Sequence, residues 1–268
     1  MKTESAKPAP WKRALVTGAS AGIGSAFARD LAARGVDVVL VARDKSRLEE
    51  LAEELKTRHA IDVEVLPADL AEEGSLEAVE RRLSAEPFVD LLVNNAGVGT
   101  FGAFTATDIA AEIQTVGVNV LAPLRLTRRA IQKMHARGSG AIIAVSSMDA
   151  LQPTPYHSVY GASKAFVNSL FEAIHEEARS TPITITTVMP GYVQTEFTKT
   201  AGVDGALDRV PRPLILTPER VAAESLDGAA DGRAMVVPGR MYKISAALLR
   251  VLPRSLGRRL FATLAPQR

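Results

Sequence analysis

Tyr160 and Lys164 stand four residues apart in the run Tyr-Gly-Ala-Ser-Lys, and together their side chains could move a proton. On a helix this spacing brings a phenol and an ammonium out of one face. A free phenol has a pKa of ~10 and keeps its proton at neutral pH, but a neighbouring cation favours the phenolate. Tuned downward, Tyr160 becomes a general acid and base for an oxygen that gains or loses a proton. Read alone, the same spacing also describes a surface tyrosine beside a lysine.

A second constellation is Thr17-Gly18-Ala19-Ser20-Ala21-Gly22-Ile23-Gly24, placed where an apolar run ends and a helical pattern begins. Glycines there permit a tight turn and close approach of a pyrophosphate to main-chain N–H groups, and the helix start adds partial positive charge. No Lys-Ser/Thr pair follows, which disfavours ATP hydrolysis. A glycine-rich turn without a ligand is the alternative. About 20 residues on, where a dinucleotide fold reads the adenosine ribose, the sequence has Ala42-Arg43 and not an acidic residue. A guanidinium suits a 2′-phosphate, so NADP(H) is expected over NAD(H). Alternatively, Arg43 is a surface cation beside Asp44.

The elements that must position these groups follow from periodicity. Short apolar runs at 14–16, 36–41, 63–66, 89–93, 141–145 and 183–188, with 234–237 as a seventh, alternate with helical stretches. That alternation predicts βαβ units in a parallel sheet with helices on both faces. Leu48, Leu51, Ala52 and Leu55 recur at helical spacing against a run of glutamates, and Leu76, Val79 and Leu83 repeat the theme. A long helix is expected over 108–134, kinked or broken at Pro123.

Composition bounds the rest. In 268 residues, 47% hydrophobic and 23% charged, one domain with a large core is expected. There is no cysteine, which excludes disulfides and thiol chemistry and gives no reason to expect an oxidising compartment; a cytoplasmic protein is expected. With 32 basic against 30 acidic residues, nucleic acid is not an expected partner. No segment approaches the ~20 apolar residues of a membrane span. His59, His135, His157 and His175 lack metal-ligand spacing, so no metal is expected. Residues 1–10 read as a disordered lead.

These motifs together resemble those of the short-chain dehydrogenase/reductase family, over residues ~12 to ~238. Thr17 to Gly24 is similar to TGxxxGIG, Asn94-Asn95-Ala96-Gly97 to NNAG, and Pro190-Gly191-Tyr192-Val193-Gln194-Thr195 to PGxVxT. Asn119 lies within Val-Asn-Val, and Ser147 precedes Tyr160 by the family's thirteen residues. The resemblance implies a single-domain Rossmann-like doubly wound parallel sheet of about seven strands, order 3-2-1-4-5-6-7. It implies an oxidoreductase interconverting an alcohol and a ketone or aldehyde, with Asn119, Ser147, Tyr160 and Lys164 catalytic. Ser147 would donate to the substrate oxygen and Tyr160 deliver the proton. Lys164 would hold the nicotinamide ribose and lower the tyrosine pKa, and Asn119 would fix a water linking Lys164 to solvent. Adjacent Ser146 is set aside by the interval.

For NADP(H), the resemblance together with the loop reading implies contacts from Gly18, Ser20, Ala21, Gly22, Ile23, Gly24, Arg43, Asp69, Leu70, Asn95, Ala96, Gly97, Tyr160, Lys164, Pro190, Gly191, Val193 and Thr195. Asp69 would meet the adenine and Thr195 the carboxamide; from the residues alone, Asp69 could be a helix cap, and Asn119 a pin for a helix irregularity near Pro123. Where some NADP(H) members carry a second basic residue in the loop, this chain has Ala21. A homo-oligomer, dimer or tetramer, is implied. The alternative is a nucleotide-binding regulatory or scaffold protein of the same fold without turnover.

Motif proximity puts Met148, Gln152, Tyr156, Tyr192 and Phe197 near a partly apolar substrate, with Pro153 beside them, and His157 at the entrance. Residues 195–216, rich in glycine and proline, correspond to the region that the family uses as a lid. Beyond 238 a helical extension is expected over 239–268. Leu256, Leu260 and Leu264 repeat at helical spacing near Arg254, Arg258 and Arg259. It reads as a helix packed on the chain's own core, or as one that contacts lipid or a partner.

Overall fold

The computed structural model describes residues 9–197, 201, 208 and 210–264, without the side chains of residues 260, 261 and 264. Most of the expected lead, ten residues of the expected lid (198–200, 202–207 and 209), and the side chains of Leu260 and Leu264 therefore lie outside the described residues.

Seven strands form one parallel sheet in the order β3-β2-β1-β4-β5-β6-β7. They are β1 Arg13–Thr17, β2 Asp37–Ala42, β3 Val63–Pro67, β4 Leu91–Asn94, β5 Gly140–Val145, β6 Ile183–Val188 and β7 Met235–Val236. The strands are apolar throughout because both faces are covered. Side chains alternate between two cores. Ala14, Val16, Val38, Leu40 and Ile143 meet Phe27 and Leu31 of helix α1 (Gly22–Ala33), Leu48 and Leu55 of α2 (Lys45–His59), and Leu226 of the later helix Pro218–Ala230. Leu15, Val39, Leu92 and Ile142 meet Val79 and Leu83 of α3 (Glu73–Ser84), with Leu126, Met134 and Phe171 from later helices. Each such large side chain, fully buried, contributes roughly 1.5–3 kcal/mol.

The expected long helix is divided. Helix α4 (Ile109–Val116) passes through a π-helical turn, Gly117–Leu121, into α5 (Ala122–Arg137). The irregularity falls before Pro123 and not at it, because proline lacks the N–H that would bond the carbonyl four residues back, and its ring crowds that carbonyl. The carbonyl belongs to Asn119. The chain widens ahead of it instead, the Ala122 N–H donating to Gly117 five residues back.

Helix α6 (Ser158–Ala178) buries Tyr160, Ser163, Lys164, Val167 and Phe171 along one stripe. After β6 come α7 (Pro218–Ala230), α8 (Arg240–Val251) and α9 (Arg254–Leu264). Strand order reverses between β1 and β4, where the following loops part to opposite faces and leave a crevice at the carboxyl ends of the strands. Among the described residues, no helix is long and apolar enough to cross a membrane.

Candidate active site

The crevice has a volume of about 1130 Å³. One end is the loop from β1 into α1. Gly18 and Gly22 have φ of +67° and +54°, which side chains rarely adopt. At Gly24 the constraint is contact: a Cβ would lie 2.1 Å from the Gly18 carbonyl oxygen. Helix α1 begins at Ala21 with no side-chain cap and no acidic residue in its first turn. Its leading N–H groups could therefore receive an anion such as a pyrophosphate.

Ser20, Ala21, Gly22, Ile23, Arg43, Asp69, Leu70, Asn95, Ala96 and Gly97 line this end with Gly18. Gly24 stands just behind the lining, where it packs against Gly18 and Asn95. Asp69 does not cap α3, whose N-cap is Glu72; its carboxylate accepts from the Ala71 N–H at 3.0 Å. Arg43 is largely exposed, 3.9 Å from Asp69. Asn95 ties the two halves together, its amide donating to the Thr17 carbonyl at 2.8 Å. Arg47 and Glu196, absent from the expectations, make a 2.8 Å ion pair from α2 to the segment after β6.

At the other end Ser147, Tyr160 and Lys164 share one wall. The Tyr160 phenol is hydrogen-bonded with Ser147, whose hydroxyl also accepts from the Asp149 N–H at 3.1 Å. Ser146, by contrast, is buried and donates to the Lys164 carbonyl at 2.9 Å. The Lys164 ammonium donates to the Val145 carbonyl at 2.8 Å and lies 5.7 Å from the Tyr160 ring centre.

Burial lowers the Lys164 pKa to about 8. Burial also pushes the Tyr160 phenol above its ordinary value, Asp149 adds to this, and the Ser147 hydrogen bond opposes it. In the chain by itself, then, desolvation outweighs the lowering that a neighbouring lysine was expected to bring.

Asn119 sits behind this wall and not in it. Its side-chain amide donates to the Val98 carbonyl at 2.9 Å and to the Ser163 hydroxyl at 3.0 Å, and its oxygen accepts from the Val98 N–H at 3.0 Å. Ser163 donates onward to the Tyr160 carbonyl. The side chain thus pins the loop after β4 to the start of α6. Its oxygen and the Lys164 ammonium both lie within 4 Å of the place where a Cβ on Gly97 would be.

Pro190, Gly191, Val193 and Thr195 line the crevice, as do Met148, Tyr192 and Phe197. Thr195 stands over the glycine loop, 3.0 Å from a Cβ placed on Gly22. The Phe197 ring centre is 5.2 Å from that of Tyr160. Gln152 and Tyr156 do not line the crevice. Gln152 is buried and donates to the carbonyls of Leu249 and Leu252, closing the end of α8. Tyr156, at φ +66°, is turned towards Phe101, ring centres 6.4 Å apart.

His157, expected at the entrance, lines the crevice, and the α8 groups beyond it were not anticipated. His157 stacks on Tyr160 at 4.1 Å and 10°, with its Nδ1 3.2 Å from Asp149. Tyr242 of α8 accepts from the Tyr192 N–H at 3.0 Å and donates to the Leu214 carbonyl at 2.7 Å. Ser245 and Leu249 extend this α8 wall. Only the helical spacing of Tyr242, Ser245 and Leu249 hinted at it.

Comparison with known proteins gives consistent matches. The short chain dehydrogenase family model matches residues 12–204. An uncharacterized oxidoreductase of Staphylococcus saprophyticus is 36% identical over 185 residues, 69% of this chain and 79% of that protein. The very-long-chain 3-oxoacyl-CoA reductase of Anas platyrhynchos is 33% identical over 190 residues, 69% of this chain, and the match spans only 61% of that relative's length. Among solved structures, a short-chain dehydrogenase from Sphingobium yanoikuyae in complex with NADPH superposes with a TM-score of 0.83 at 31% identity, covering 96% of each chain.

Proposed function

The chain belongs to the short-chain dehydrogenases, and from that premise we propose that it is an NADP(H)-dependent oxidoreductase interconverting an alcohol and a ketone or aldehyde, with Tyr160 as the proton donor and acceptor. The observation that carries the proposal is the shared wall of Ser147, Tyr160 and Lys164 in a crevice that runs on to the uncapped start of α1 and to Arg43.

The residues present fit the coenzyme. The N–H groups at the start of α1 would take the pyrophosphate, Asp69 and Leu70 the adenosine, and Arg43 a 2′-phosphate. Lys164 would hold the nicotinamide ribose and Thr195 the carboxamide, with Asn95, Ala96, Gly97, Pro190, Gly191 and Val193 as walls. When bound, NADP(H) supplies or accepts the hydride. The bound NADPH of the Sphingobium yanoikuyae relative supports the choice of coenzyme.

The chain's own groups do the rest. Ser147 donates a hydrogen bond to the substrate oxygen and stabilises charge developing there. Tyr160 passes its proton to that oxygen. A phenol held above its ordinary pKa suits reduction, because it keeps the proton until a stronger base forms beside it. The ring is held in place by His157 on one face and by the Asn119–Ser163 link to its main chain. With the Asn119 side chain engaged, the group it has left for a water is its carbonyl, which Pro123 cannot cap.

Phe101, Met148, Tyr192, Phe197 and Leu249 make the substrate end largely apolar, which supports a carbonyl compound with sizeable apolar groups. Exposed Ile109, Ile113, Leu121 and Phe166 on α4, the π turn and α6 support a homo-oligomer.

The test follows NADPH absorbance over a panel of ketones and aldehydes. Tyr160→Phe is expected to lower kcat by roughly 10²–10⁴-fold while leaving coenzyme binding, read by fluorescence titration, unchanged. Undiminished turnover in this variant overturns the mechanism. Coenzyme binding with no turnover of any carbonyl by the unaltered chain overturns the enzyme reading.

A further inference from the structure

Helix α8 presents two apolar faces. Its inner face carries Tyr242, Ser245 and Leu249, which line the crevice, and buried Ala246. Its outer face carries Met241, Ile244, Leu248 and Val251 at the i, i+3, i+7, i+10 spacing of one helical stripe. These side chains are 57%, 57%, 64% and 78% exposed, and Leu256 of α9 adds another at 53%. Charge is segregated to the same place. Residues 239–268 hold seven basic and no acidic side chains, whereas residues 1–238 hold 25 basic and 30 acidic. Arg240, Arg254, Arg258 and Arg259 make no ion pair among the described residues.

We propose that α8 and the start of α9 form a docking surface for an anionic lipid bilayer, the stripe Met241-Ile244-Leu248-Val251 entering the interface and the flanking arginines meeting the headgroups. An apolar stripe edged by cations is what an interfacial helix requires, and each cation at an anionic surface adds roughly fivefold to binding. A second copy of the chain is the less suitable occupant. A twofold contact through this face would set the two basic segments against each other. Docked in this way, α8 is the partition between bilayer and crevice. Resting on the proposed function, that position would give the site access to carbonyl compounds partitioned into lipid.

The docking is tested by flotation of the whole chain with liposomes of phosphatidylcholine alone or with about one third phosphatidylserine. Capture by the anionic liposomes and its release by high salt are expected. Ile244→Glu with Leu248→Glu should abolish capture, and Arg254→Glu with Arg258→Glu should lower it at least tenfold, with turnover of a water-soluble ketone retained. Should the first pair unfold the chain, as read by its melting temperature, the charge-reversed pair decides alone. Absence of capture, equal capture by neutral liposomes, or capture indifferent to the charge reversal overturns the proposal. So does a dimer in sedimentation velocity that the first pair dissolves while lipid capture is absent, which assigns the face to a second copy. Capture without any carbonyl turnover leaves the docking standing and removes only the reading of the site.

Discussion

The two ends of the crevice are built from different material. Around Gly18 and Gly22 the surface is main chain, contributed by one short loop and an uncapped helix start. Around Tyr160 it is side chains, brought from the loop after β4, from α6, from the segment after β6 and from α8. Recognition by main chain needs contiguous residues and tolerates no added atoms. Recognition by side chains can be assembled from distant segments and retuned one group at a time. The first end should therefore fail when a methyl group is added, and the second should change preference when one is removed.

Lys164 stands where the two ends meet, and its charge provides the largest expected effect. Its folded pKa, about 8, lies below the ordinary 10.5, so the unfolded chain holds this proton more readily than the folded one. Below pH 8 the folded protein bears the full cost of a buried cation. The cost disappears as pH rises from 8 to 10.5. Measured by denaturant titration against Lys164→Met, the native chain should gain by up to roughly 3 kcal/mol across that interval. The shifted Tyr160 is present in both proteins and cancels. A flat difference would place the ammonium in contact with solvent.

Gly24→Ala comes next. A Cβ 2.1 Å from the Gly18 carbonyl forces the loop apart, so a loss of about 1–3 kcal/mol in stability is expected. Weakened NADPH binding should accompany it. A variant that melts and binds like the parent would break the contrast between the two ends.

Arg43→Ala probes one of the side chains that join the main chain at the glycine-loop end. Because the guanidinium is largely exposed, the preference for NADPH over NADH should fall by only about tenfold in kcat/KM. The smallest effect is expected from Leu249→Ala on the α8 wall: KM for bulky ketones should fall about threefold, less than the ~1.4 kcal/mol of a tenfold change, with coenzyme affinity unmoved. A matching loss of coenzyme binding would show that the ends are not separable.

Legibility in the sequence followed the same division. Strand and helix order could be read because each element carries its own pattern, a short continuous apolar run for a strand covered on both faces and a period of 3.6 for a helix. The glycine loop could be read because its function lies in consecutive residues. Gln152 and Tyr156 were misplaced because nearness in sequence to Ser147 and Tyr160 is not nearness in space. A short 3-10 turn at Met148–Ala150 and the left-handed backbone of Tyr156 redirect the chain between them. Asn119 was found by its motif, but its engagement with Val98 and Ser163 depends on how α4, the π turn and α6 pack.

Taken alone, the sequence of this protein determined the alternation of strands and helices, the conformational freedom at Gly18 and Gly22, and the pairing of Tyr160 with Lys164 on one helical face. Those are properties of local backbone geometry and of spacing along one element. Tertiary structure alone decided that His157 stacks on the phenol, that Tyr242 bridges Tyr192 and Leu214, and that α8 closes the crevice while leaving an apolar face outward. Such contacts join segments whose separation in sequence carries no period, and they form only when burial of the two cores fixes where each helix lies on the sheet.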